Sequence, residues 1–180
     1  MDKCPPPRSL LFPCFVPCNK KSIRMENKID MATLLTEQEM AINADIESVY
    51  GFISNMENFK LWFPEVSDIA SDNDMEHGTV GKTYVEKVYL PPNGEQRLKI
   101  EVKKVAPPVL YMTESKYEPL LPRMTITLMS KMDVTSVNWK MHSRNNDPDF
   151  LEEQLPNFKS IIAERANVGI LKLKQLFEKK

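Results

Sequence analysis

The amino-acid sequence predicts an α+β domain in which one curved antiparallel β-sheet wraps a long C-terminal α-helix, with two short helices after the first strand. Three observations lead there. Leu151, Leu155, Phe158, Ile162, Ala166, Gly169, Leu173 and Leu176 recur at steps of three and four, which is one apolar face of a helix. Between residues 79 and 144 lie five strand-like stretches separated by turns too short to hold a crossover helix, so neighbouring strands must run antiparallel. A helix over 156–177 is roughly 33 Å long at ~1.5 Å per residue, about the length of a ten-residue strand, so sheet and helix match in span.

Residues 1–31 read as an extension that does not fold with the rest. Pro5, Pro6, Pro7, Pro13 and Pro17 interrupt helix and strand pairing there, and Leu10-Leu11-Phe12 is too short for a signal-peptide core. All three cysteines, Cys4, Cys14 and Cys18, fall in this extension. Two cysteines spaced as Cys14 and Cys18, without a further pair or histidines, do not complete a tetrahedral zinc site. Removing residues 1–30 is expected to leave the melting temperature unchanged.

The domain itself is expected over residues 32–180. Ala32 to Ile42 alternates as a strand, with Leu34, Thr36, Gln38, Met40 and Ile42 on one side. Asn43 or Asp45 caps a helix carrying Ile46, Val49, Tyr50, Phe52 and Ile53. A second short helix, Met56 to Phe63, stops before Pro64, whose predecessor is biased away from helix. Asp72-Asn73-Asp74 and His77-Gly78 are turn residues. Strands are expected over 79–90, 96–105, 109–117, 124–131 and 136–143. Pro91-Pro92-Asn93-Gly94 joins the first two as a hairpin turn. The second alternates most cleanly, with Leu98, Ile100 and Val102 on one face and Arg97, Lys99, Glu101 and Lys103 on the other. Asp147-Pro148-Asp149 starts the last helical segment, and Pro156 divides it into a short turn and a long helix.

Composition narrows the function classes. A formal net charge of −1 gives no basic surface for nucleic acid, and no run of about 18 apolar residues exists to form a membrane-spanning helix. The domain has no cysteine, so a reducing, cytoplasmic setting is expected. Gly-rich phosphate loops, paired-histidine metal motifs and Gly-x-Ser-x-Gly elbows are absent. His77 and His142 have no acid or nucleophile beside them in sequence and read as surface residues.

The stretch Met40-Ala-Ile-Asn-Ala-Asp-Ile-Glu-Ser-Val-Tyr50, running into Phe59-Lys-Leu-Trp-Phe-Pro-Glu-Val66, resembles the start of polyketide cyclase/dehydrase-like proteins. These belong to the helix-grip, START-like (SRPBCC) superfamily, together with START lipid-transfer domains and birch-pollen-type allergens. The resemblance covers about residues 32–178. It implies a helix-grip fold with a mostly apolar cavity between the concave sheet and the long helix.

The expected strand walls of that cavity are Leu98, Ile100, Val102, Tyr111, Met124, Ile126, Leu128, Trp139 and Met141. Phe158, Ile162, Ala166, Gly169 and Leu173 are expected from the helix, with Arg165 beside them as an anchor for an anionic group or a partner for an acid such as Glu86. The inward face of each strand stays open, because one residue of slip inverts it, and the same side chains serve equally as a filled core. Of Tyr111 and Glu114, separated by three residues on one strand, only one points inward. Small Ala166 and Gly169 on the apolar stripe, and eleven methionines in the chain, favour an adaptable pocket. The expected function is binding of a hydrophobic small molecule, lipid- or sterol/polyketide-like, as carrier or sensor. The alternatives are a cyclase- or dehydratase-like enzyme using the same pocket and a co-chaperone-like protein-interaction module. No catalytic residue, cofactor or metal is assigned, and the expected state is a monomer.

Overall fold

The computed structural model describes residues 31–90 and 94–178. The extension read over residues 1–31 falls, apart from Met31, outside them, as do Pro91 to Asn93 of the expected hairpin turn. Along the chain come β1 (Thr33–Ile42), α1 (Ile46–Ser54), a 3-10 turn (Met56–Asn58), α2 (Phe59–Trp62) and β2 (Val66–Ser71). β3 (Thr83–Leu90), β4 (Gly94–Ala106), β5 (Leu110–Ser115), β6 (Pro122–Lys131) and β7 (Val134–Ser143) follow. A π-helical turn (Phe150–Gln154) then leads into α3 (Leu155–Glu178). The described strands form one antiparallel sheet in the order β1-β7-β6-β5-β4-β3-β2, with α3 laid along β1. This is the helix-grip arrangement.

Local chemistry accounts for the boundaries. Asp45 caps α1, its carboxylate accepting from the Ser48 backbone N–H and hydroxyl, each at 2.7 Å. Asn55 caps the 3-10 turn, accepting from Glu57 N–H at 3.0 Å. Phe63 turns extended ahead of Pro64, which ends α2. Asp147 accepts from Phe150 N–H at 2.9 Å and opens the last helical segment. Pro156 lacks an N–H, and the chain meets it with a π turn: Leu155 N–H donates to Phe150 C=O, five residues back, before regular α-helix resumes.

Three expectations need correction. β2 was not foreseen. It is a sheet-edge strand of six residues, only Val66 and Ile69 of which are buried, and its register shifts between Val66 and Asp68, so it carries almost no periodic signal. In β1 a bulge between Leu34 and Thr36 turns Leu34 outward and buries Leu35 beside Thr36. On α3 the stripe drifts: Leu176 is 43% exposed and Ile170 only 4%.

Parity on the other strands is now explicit. Tyr84, Glu86 and Val88 of β3 face inward, as do Leu98, Ile100 and Val102 of β4 and Tyr111, Thr113 and Ser115 of β5. Met124, Ile126 and Leu128 of β6 continue the surface to Val137 and Trp139 of β7. The apolar side chains among these pack with Val49 and Ile53 of α1, Phe59 and Trp62 of α2, and Ala166, Ile170 and Leu173 of α3 in the main core. A smaller cluster of Leu35, Leu120, Phe150 and Leu155 seals the sheet against the start of α3.

Candidate functional site

The first half of α3 does not lie flush on the sheet. It leaves a cavity of about 440 Å³, a volume that suits a small organic molecule. Sheet residues Val88, Leu98, Ile100, Met124 and Met141 form one wall, and Phe158, Ile161 and Ile162 of α3 the other. Met56, Phe59 and Phe63 close one end, and Tyr117 and Leu120 from the β5–β6 connection, with Pro122 at the start of β6, line the rest. Polar groups are few: Glu86, Thr113, Glu114 and Ser115 from the sheet, and Glu153, Gln154, Asn157 and Arg165 along the helix and the turn before it.

Of the residues singled out in the sequence, Ile100, Met141, Phe158, Ile162 and Arg165 line the cavity, together with Leu98 and Met124. Tyr111, Ile126, Leu128, Trp139, Ala166 and Leu173 lie instead in packed core, as does Val102. Gly169 sits where α3 crosses the end of α2. A Cβ there would stand 3.1 Å from the Phe63 ring and 3.4 Å from both Pro64 Cδ and the Trp62 carbonyl oxygen. Phe63 is itself held, stacked on Phe59 at 4.7 Å and tilted against Trp139 at 5.8 Å. The small residue therefore permits close helix approach, and the cavity opens nearer the N-terminal end of α3.

Arg165 is engaged at the rim. Its Nε donates to Glu65 Oε2 at 2.6 Å, so its acid partner is Glu65 and not Glu86. Glu65 adopts a left-handed backbone (φ 66°) between Pro64 and β2. On β5, Tyr111 points inward and Glu114 is drawn to two arginines: Arg123 at 2.7 Å and Arg144 at 3.2 Å.

Glu86, named from the sequence only as a possible partner of Arg165, has a place in the cavity wall that sequence reasoning missed. It lies on the buried face of β3, opposite Ile69 of β2 and Leu98 of β4, and is 7% exposed. No hydrogen bond or ion pair engages its carboxyl among the described residues. Burial alone raises its pKa to about 7. The signal was available: Glu86 sits at alternate positions with Tyr84 and Val88, an acid in an apolar register.

Beyond the cavity wall the core holds a tyrosine cluster. A hydrogen bond of 2.8 Å joins His77 Nδ1 and the Tyr84 hydroxyl, and the two rings stack at 5.8 Å. Burial pushes the Tyr84, Tyr50 and Tyr111 phenols upward, Tyr111 most of all because it is the most deeply desolvated, with the other two phenols beside it adding to the shift. Among the described residues no cluster of His, Cys, Asp and Glu is placed to hold a metal ion, and no helix is long and apolar enough to cross a membrane.

No family model matches the chain, and no curated protein sequence does. Solved structures do match by shape. A START superfamily protein from Mycobacterium smegmatis aligns over 80% of this chain and 97% of its own, at 15% identity and a TM-score of 0.62. The di-domain ARO/CYC protein StfQ of the steffimycin biosynthetic pathway aligns over 83% of this chain at 9% identity and a TM-score of 0.60; the chain spans 52% of its length. An Aha1 dimer from Colwellia psychrerythraea aligns over 79% of this chain and 94% of its own, at 18% identity and a TM-score of 0.56. The fold is START-like.

Proposed function

We propose that the cavity takes up one hydrophobic small molecule, lipid- or sterol/polyketide-like in bulk, and that the protein carries or senses it without turning it over. The supporting observation is the apolar-walled cavity of about 440 Å³ between α3 and the sheet. Affinity would come mainly from apolar burial, ~25 cal/mol per Å² before the costs of association. Residence in the cytoplasm and a monomeric state belong to the same proposal. Its test is uptake of the neutral dye Nile red. The wild-type protein should bind it with one-to-one saturation. Leu98→Trp combined with Ile162→Trp, which fills the cavity from both walls, should weaken binding by at least ~10-fold in a protein that still folds. Undiminished binding by the folded double variant would remove the cavity reading.

One observation favours an enzyme as the second reading. A carboxyl with a pKa near neutrality inside an apolar cavity is suited to general-base work. On that reading Glu86 would take a proton from the bound molecule, and Glu86→Gln would abolish turnover of a substrate while leaving its binding intact.

A further inference from the structure

We infer that Glu86 makes this cavity selective for apolar molecules that carry one protonated amine. The inference rests on the reading of the cavity as a binding site and names its ligand class.

The argument starts from an unbalanced group. Glu86 is more than nine-tenths buried, lines the cavity, and has no hydrogen-bond or ion-pair partner among the described residues. Its neighbours across the sheet are Ile69 and Leu98, and it lines the cavity together with Met56, Phe59 and Ile100. A buried carboxylate without a partner is costly, and an ammonium group that enters beside it supplies both countercharge and donors.

The other charged groups of the lining settle the sign. Arg165 is held by Glu65, and Glu114 by Arg123 and Arg144. Glu153, at the α3 side, adds a second acid. An anionic ligand would meet two acids, Glu86 and Glu153, with the lining's arginine already engaged. A neutral alcohol offers Glu86 one hydrogen bond but no charge. The ammonium alone answers both features.

Protonation of Glu86 then tunes the preference. Across the sheet from it on β2 and β4 are Ile69 and Leu98, and Ile100, Met56 and Phe59 share the cavity with it; none of these titrates. Of the nearby charges, Asp68 on β2 pairs with Lys60, Glu57 of the turn is engaged by Ser71, and Lys82 just before β3 donates to the Asn73 carbonyl. Tyr84 lies two residues before it on the same face, and Tyr117, Glu114, Glu153 and Arg165 share the cavity. Because burial raises the Glu86 carboxyl to about 7, the amine preference grows as pH rises through neutrality.

The experiment displaces Nile red from the full chain with 1-naphthylmethylamine, 1-naphthylmethanol and 1-naphthoate, which share one ring system. At about pH 8 the amine should compete at least ~10-fold better than the alcohol, with the acid weakest, and the margin should narrow toward about pH 5.5. Glu86→Gln should bring amine and alcohol to equal affinity. Equal binding of amine and alcohol by the wild-type protein, or a preference that survives in the folded Glu86→Gln variant, overturns the inference while the cavity reading stands. Should that variant not fold, a wild-type preference that stays flat with pH overturns it. Failure of the wild-type protein to take up Nile red at all removes the cavity reading and this inference with it.

Discussion

Replacing Glu86 by Gln should stabilise the protein above neutral pH and leave it nearly unchanged in mild acid. Burial in the wall between β2 and β4 raises the carboxyl from its ordinary value of 4.5 to about 7. Between those two values the folded chain holds a proton that the unfolded chain has released, so wild-type stability falls as pH rises across that window and levels off beyond it. At ~1.4 kcal/mol for each factor of ten, the loss amounts to ~3 kcal/mol. Gln cannot ionise and escapes it. The cost of burying an amide in the same place is equal at every pH, so it cancels when one pH is compared with another. At ~2–4 °C per kcal/mol for a domain of this size, the variant should melt roughly 6–12 °C above wild type at about pH 8, and the difference should shrink to roughly 2–3 °C at about pH 5. Thermal unfolding followed by circular dichroism over that range measures it. A melting difference that is the same at both ends would refute the placement of Glu86 as a lone buried carboxyl.

Two more substitutions probe the supports of the site. Glu114→Ala leaves Arg123 and Arg144 without their shared carboxylate and should lower stability in urea by ~2 kcal/mol; because the group is partly buried, added salt should change that loss little. Gly169→Leu forces a side chain into the contact with Phe63, Pro64 and the Trp62 carbonyl and should cost roughly 2–3 kcal/mol, outweighing the gain in helix propensity. Wild-type stability in that variant would mean α3 and α2 are not closely apposed.

Where residues repeat with a clear period, the sequence was enough. Leu98, Ile100 and Val102 alternate against charged neighbours, so β4 could be placed, and Leu155 through Leu173 announced the long helix with the interruption at Pro156. β2 offered only Val66 and Ile69 across a shifted register, and an edge strand of that kind has no period to read. Within the site the limit was different. Apolar side chains that line a cavity and those that fill a core look alike in sequence. Met141 and Trp139 are neighbours in the alternation of β7, yet only Met141 reaches the cavity. Ala166 and Gly169 are small for close packing, a distinction that requires Phe63 to be in place. Glu86 could be read as an acid alternating with Tyr84 and Val88, but Val85 and Tyr89 make the opposite face of β3 apolar too, so the alternation alone did not say which face is inside. Only the pairing with Ile69 and Leu98 fixes which face is inside.

The methionines provide the most direct test of the central claim that the cavity binds a small apolar molecule. Met56, Met124 and Met141 line it, whereas Met75, Met129 and Met132 are exposed elsewhere. With the methyl groups carbon-13 labelled, a titration with 1-naphthylmethanol followed by NMR should shift the Met56, Met124 and Met141 signals together, saturating at one equivalent, and leave Met75, Met129 and Met132 in place. Saturable shifts confined to the exposed methionines, or no saturable shift at Met56, Met124 and Met141, would contradict the account.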